Sequence, residues 1–84
     1  MKDYLWAIQE DDGTEVMSAR FAVDKVSRVT ADVVDGRALI ALDASPQVLS
    51  PERVREGVGL WLCRWPADDK LAKPVRKRIR KATG

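Results

Sequence analysis

The chain has 84 residues, of which 45% are hydrophobic, so it is long enough for one small domain with a buried core and too short for two. It contains no histidine, which excludes imidazole catalysis and every metal site that needs a histidine ligand. The single cysteine, Cys63, excludes an intramolecular disulfide and fits a reducing compartment. The apolar stretch near the start is too short for a signal peptide or a membrane span, so we expect a cytoplasmic protein that does not associate with membranes.

The charges are unevenly distributed along the chain. Residues 1–66 carry eight Lys and Arg against eleven Asp and Glu, a net charge of −3, whereas residues 67–84 carry seven against two, a net charge of +5. This asymmetry indicates an electrostatic partner for the C-terminal segment, or a solvated end. We therefore divide the chain into a small β-rich domain, 1–66, and a basic tail, 67–84, that packs on the domain or on a partner.

The first predicted element is a strand at 3–10, in which Tyr4 and Trp6 lie on one side of a period-two pattern. The sequence Asp-Asp-Gly-Thr at 11–14 is typical of a tight turn, and 16–23 is predicted to return as the second strand. Four carboxylates cluster around the turn, but their spacing lacks the ligand order of a calcium loop. Turn chemistry is therefore favoured over a metal site.

A hairpin is predicted around Asp35-Gly36, because this dipeptide tolerates the left-handed backbone angles of a two-residue turn. The turn fixes a register that runs from Val34 opposite Arg37 to Arg28 opposite Asp43. One face then stacks the apolar pairs Val33/Ala38, Ala31/Ile40 and Val29/Leu42. A helix at 23–34 also fits the apolar spacing, but the many β-branched residues favour the hairpin.

The next segment has two interpretations. Ser50 and Pro51 are typical of a helix start, which predicts a short helix at 51–56. Apolar residues from Val54 to Trp65 could continue that helix, but two glycines disfavour it. We prefer a short helix that ends near Gly57, followed by a strand at 58–65.

The basic tail is predicted to form an amphipathic helix. Two aspartates suit its start, and Leu71, Val75, Ile79 and Ala82 recur at spacings of four, four and three. Pro74 means that this helix kinks there or begins there.

Together these elements predict a mainly β fold with short helices: an antiparallel β-meander of four to five strands, plus a basic C-terminal helix. The chain order, with a short helix before the fifth strand, is similar to SH3-like barrels, so closure into a small barrel is one expected form. The alternative is an α+β fold in which one helix at 54–65 covers a four-stranded antiparallel sheet.

Nothing in the sequence indicates an enzyme, a cofactor or a metal. The serines have no imidazole to activate them, and the glycines form no phosphate-binding loop. We therefore predict a non-enzymatic binding protein.

The leading functional hypothesis is nucleic-acid binding, because a basic helix would neutralise phosphates and exposed tryptophans would stack on bases. The predicted phosphate contacts are Lys70, Lys73, Arg76, Lys77, Arg80 and Lys81. The predicted stacking or partner patch is Trp61, Arg64 and Trp65.

The alternative is a small regulator or inhibitor of mobile-element or phage type, which would present the tryptophan patch to one protein partner. An exposed strand edge could also be closed by a second copy, giving a homodimer.

Overall fold

The computed structural model describes residues 2–43 and 45–80, which form seven β-strands in two antiparallel sheets. In chain order the strands are β1 (Tyr4–Glu10), β2 (Phe21–Val23), β3 (Val29–Val34), β4 (Arg37–Leu42), β5 (Ser45–Leu49), β6 (Leu60–Pro66) and β7 (Val75–Arg80). Within this part of the chain there is no helix, and so none that could cross a membrane. The result is a small β-rich fold, consistent with a small barrel.

The larger sheet has four strands in the order β2-β1-β6-β7. Its centre is the pair β1 and β6, which are hydrogen-bonded along their whole length, from Tyr4 opposite Pro66 to Glu10 opposite Leu60. Strand β7 adds to the other side of β6, with a register shift between Leu60 and Trp61. The first strand and the last two strands of the chain therefore share one sheet.

The smaller sheet has three strands in the order β3-β4-β5, and its hairpin confirms the predicted register. The ladder runs from Val34 opposite Arg37 to Val29 opposite Leu42. At the turn, Asp35 has a φ of 50° and Gly36 a φ of 77°, the left-handed angles that a two-residue hairpin requires. The competing helix at 23–34 does not form.

The core lies mainly between the two sheets. The face of the larger sheet that carries Ile8, Leu60 and Leu62 packs toward the smaller sheet, where Ala38 and Ile40 are buried. All five side chains are at most 5% exposed. On the opposite face of the larger sheet, Ala7, Cys63 and Trp65 are also buried. We call this opposite face the outer face.

The predicted return strand at 16–23 is wrong in its extent. Only Phe21–Val23 pairs with β1 as a strand, and near the turn an isolated bridge joins Gln9 to Glu15. The turn itself is confirmed, since Gly13 has a φ of 91° and donates to the carbonyl of Glu10. Between these two paired regions, at Met17, the chain is no longer paired with β1. The buried side chain of Met17 packs into the core instead.

The predicted helix at 51–56 is also wrong, because the segment has no regular structure. Ser50 does not act as a helix cap. Its Oγ accepts from the Ala38 N–H at 3.0 Å and donates to the Glu52 carbonyl at 2.8 Å, and this ties the segment to β4. A helix of only six residues is marginal alone in water, so these contacts decide its conformation. The alternative α+β fold is contradicted as well, because the second half of 54–65 belongs to β6 and the first half forms no helix.

The C-terminal helix is the largest error in the predicted fold. Residues 66–72 form two consecutive turns, closed by hydrogen bonds from Asp69 to Pro66 and from Ala72 to Asp69, and β7 begins directly after Pro74. In β7, Val75 and Ile79 are four residues apart and share one face of a strand as readily as one face of a helix. A single meander is contradicted too, because β2 and β3 belong to different sheets.

Candidate functional site

Trp61 lies on the outer face between two arginines of the neighbouring strand. It pairs across the ladder with Arg78, and Cys63 pairs with Arg76. The guanidinium carbons of Arg76 and Arg78 lie 4.6 Å and 4.3 Å from the centroid of the Trp61 ring. Both distances are within the range of a cation–π interaction, so the three side chains form one cluster. We call it the Trp61 cluster.

Asp11, from the β1 turn, holds the Trp61 cluster in place. Its Oδ1 accepts from the Trp61 indole Nε1 at 2.7 Å, and its Oδ2 accepts from the Gly59 N–H at 3.0 Å. Arg78 Nη2 lies 3.6 Å from Oδ1. The hydrogen bond from Trp61 is the main cause that lowers the pKa of Asp11 below its usual value, and the Gly59 N–H and the nearby arginines lower it further. The carboxylate therefore stays charged at neutral pH and fixes the orientation of the indole.

Arg76 reaches from β7 toward β1 above the ladder. Its Nη2 donates to the Glu10 carbonyl at 2.9 Å. Cys63 is fully buried on the same face, and this burial raises the pKa of its thiol. A raised pKa keeps the thiol protonated, so Cys63 acts as a packed apolar side chain.

A groove of about 540 Å³ runs along the outer face beside the Trp61 cluster. Trp65, only 2% exposed, contributes to its lining, and the Arg20 guanidinium lies 3.6 Å from the Trp65 ring centroid. Arg20 is held by an ion pair with Glu15 at 2.8 Å and by donation to the Lys70 carbonyl at 3.1 Å. The same ion pair lowers the pKa of Glu15, chiefly through the hydrogen bond from Arg20. On the side formed by Arg20, Glu15 and Trp65, the groove is therefore lined by side chains that contact one another.

Three of the predicted phosphate contacts, Lys70, Lys73 and Arg76, line this groove together. Lys77 lies on the other face of β7, opposite Leu62. Arg80 is the last residue of β7, and Lys81 lies outside the described residues.

The predicted tryptophan patch is divided between the two faces of the sheet. Arg64 lies on the face opposite Trp61, where its guanidinium is 4.6 Å from the ring centroid of Tyr4 and 5.7 Å from that of Trp6. Trp65 shares the outer face with Trp61 but is buried beneath Arg20. Among these predicted residues, only Trp61 presents a partly exposed ring beside the groove.

Sequence reasoning missed Arg20 and Asp11 as parts of the site. It considered Arg78 as a phosphate contact of the basic tail but did not group it with Trp61. Alternation in β7 would have grouped Arg78 with Arg76, had a strand been predicted there. Arg20 and Asp11 reach the site through contacts with residues about 50 positions away in the chain, and no local pattern signals such contacts.

In the described part of the basic segment, most cations form no ion pair with the rest of the protein. Within residues 2–43 and 45–80 the ion pairs are Lys2–Asp24, Arg20–Glu15, Arg55–Glu10 and Arg78–Asp11. Of the basic residues from 70 to 78, only Arg78 is therefore paired with a carboxylate in this part of the structure. Lys70 and Lys73 are exposed and line the groove with free ammonium groups.

Comparison with known protein families, with curated proteins and with solved structures gives no significant match to this chain. The physical character of the outer face is therefore the basis for a functional proposal.

Proposed function

We propose that this protein binds nucleic acid on its outer face and has no catalytic role. Lys70, Lys73 and Arg76 contact phosphates along the groove, and the Trp61 cluster lies beside this path. The observation that carries the proposal is that these three cations line one groove and, within the described residues, none of them forms an ion pair. A lone reduced cysteine suits a cytoplasmic location for this activity.

Charge complementarity is the physical reason for this proposal. Lys and Arg side chains that neutralise phosphates release condensed counterions, which gives affinity without sequence specificity. Two of the three carboxylates that line the groove are paired with cations, Glu15 with Arg20 and Asp11 with Arg78. The third, Asp12, accepts from the Thr14 N–H and forms no ion pair within the described residues. A phosphate chain therefore meets three cations without ion pairs and one such carboxylate.

The proposal is tested by the salt dependence of binding to a labelled oligonucleotide. With about three phosphates neutralised, log affinity falls against log salt with a slope of roughly −2 to −3. In the double variant Lys70→Gln/Lys73→Gln, we expect the magnitude of the slope to fall by about 1.5 to 2, since each lysine accounts for about one released counterion.

A charge-matched control is Lys25→Gln/Arg28→Gln, which removes two exposed cations away from the groove. We expect this control to leave the slope close to that of the unmodified protein. A flat salt response, or an equal loss in both double variants, contradicts the proposal. A stoichiometric complex with one protein that survives nuclease treatment and is unchanged in Lys70→Gln/Lys73→Gln would favour the regulator hypothesis instead.

A further inference from the structure

We infer that the nucleic acid is single-stranded, and that the Trp61 cluster stacks with one of its bases while the groove holds the adjacent phosphates. This inference rests on the proposed function and narrows its ligand. Three observations support it: the open basic groove, the partly exposed aromatic ring beside its cations, and the fixed orientation of that ring.

The basic surface is a shallow groove that is largely open to solvent. Lys73 and Arg76 line it, and its volume is about 540 Å³. Proteins that bind single strands commonly combine a positively charged groove for the backbone with aromatic side chains for the bases. The open groove can hold the phosphates of such a strand beside the Trp61 cluster.

The Trp61 cluster offers the surface that an unpaired base needs. Bases of single strands stack on aromatic rings and on the planes of guanidinium groups. Here the guanidinium carbons of Arg76 and Arg78 lie within 4.6 Å of the centroid of the Trp61 ring. In a duplex the bases are already stacked and paired, so their faces do not reach a flat protein surface. The cluster therefore discriminates in favour of a single strand.

Asp11 orders the Trp61 cluster before the ligand binds. Its hydrogen bonds to the indole of Trp61 and to the backbone of Gly59 fix the ring relative to β6. Because the ring is already ordered, binding loses less side-chain entropy. Asp11 is thus a positioning residue, and its negative charge is offset by Arg78 at 3.6 Å.

The experiment compares one oligonucleotide about 12 nucleotides long, as a single strand and as a duplex of the same sequence, at one salt concentration with the full chain. We expect the single strand to bind at least tenfold more tightly, a difference of about 1.4 kcal/mol. Trp61→Ala should weaken single-strand binding by about 5- to 150-fold, the range for the loss of one stacked base.

Intrinsic tryptophan fluorescence gives a second readout that depends less on the stability of one variant. We expect the single strand to quench the fluorescence of the unmodified protein. It should also quench that of the variant Trp6→Phe, because Trp6 lies on the face opposite Trp61. Most of the quenching should be lost in Trp61→Phe. The remaining tryptophans are Trp6, on the opposite face, and Trp65, which lines the groove but is only 2% exposed beneath Arg20.

The outcomes separate this inference from the proposed function. If the duplex binds as tightly as the single strand, with the predicted salt slope, the inference fails and the proposed function stands. If single-strand binding is unchanged in Trp61→Ala and the quenching persists in Trp61→Phe, the role of Trp61 is wrong. If neither form binds, both proposals fail.

Discussion

Several side chains of this protein act as links between segments that are distant in sequence. Asp11 joins the β1 turn to β6 and β7 through Gly59, Trp61 and Arg78. Ser50 has a comparable role on the smaller sheet, where only 1% of it is exposed. Its backbone N–H donates to the Ala38 carbonyl at 2.7 Å, and its Oγ accepts from the Ala38 N–H at 3.0 Å. Ser50 thus continues the pairing of β4 beyond the end of β5.

Ser50→Ala should destabilise the protein by about 1 to 3 kcal/mol, because it leaves the buried N–H of Ala38 without an acceptor. Denaturant unfolding measures this change as a shift of the midpoint at constant slope. The matched control is Ser18→Ala, since Ser18 is exposed and its substitution should change stability by less than about 0.5 kcal/mol. Equal costs for the two variants would show that the Ser50 hydroxyl does not support Ala38.

The sequence predicted residue roles where they depend on neighbours in the chain. Asp35 and Gly36 were correctly placed in a turn, since their tolerance of left-handed angles is an intrinsic property. Ser50 was wrongly predicted as a helix cap, because its signature is local whereas its partner in the folded protein, Ala38, lies 12 positions away. A serine hydroxyl that can accept a hydrogen bond at the start of a helix can equally accept one from a backbone N–H of a strand.

At the scale of elements, the structure shows why the β3–β4 hairpin was predictable and β7 was not. The hairpin closes through adjacent residues, so turn chemistry and alternation specify its register. In β7, apolar residues four apart fit the period of a helix and the period of a strand. The segment forms a strand because β6 offers it hydrogen-bond partners. Leu71, the predicted first member of the helical stripe, is 97% exposed in the loop before β7. The sequence alone does not show that one edge of β6 is available for pairing with β7.

Two of the turns with positive backbone angles, at Gly13 and Gly36, give a test of what each glycine contributes. Gly36→Ala and Gly13→Ala should each cost about 1 to 2 kcal/mol, because both place an L residue at left-handed φ. A Cβ on Gly36 would lie 2.5 Å from Arg53 Nη2, whereas a Cβ on Gly13 meets nothing closer than Gln9 Oε1 at 4.0 Å. The Arg53 guanidinium ends a flexible side chain and should move aside.

Denaturant unfolding of the two variants should therefore give costs within about 0.5 kcal/mol of each other. A cost for Gly36→Ala that exceeds that of Gly13→Ala by more than about 1 kcal/mol would contradict this expectation. It would mean that Arg53 is fixed against the hairpin, and the double variant Gly36→Ala/Arg53→Ala should then recover the excess.

At the scale of the whole molecule, the sheets are coupled by their shared core. Ile8, Leu60 and Leu62 from the larger sheet form one buried cluster with Ala38 and Ile40 from the smaller sheet. The apolar face of a sheet is exposed to water unless a second element covers it, so the stability of each sheet depends on the other. The three tryptophans all lie in the larger sheet, on β1 and β6, and their fluorescence therefore reports on that sheet alone.

Ile40→Ala tests this coupling, because the residue belongs to the smaller sheet and is 1% exposed. We expect a loss of about 2 to 5 kcal/mol from a total stability of about 5 to 15 kcal/mol. Tryptophan fluorescence and far-UV circular dichroism should shift together to the same lower midpoint, since both sheets unfold in one transition. Val26→Ala, at a side chain 84% exposed, should change the midpoint little. An unshifted fluorescence transition beside an earlier circular-dichroism transition would show that the larger sheet folds without the smaller one.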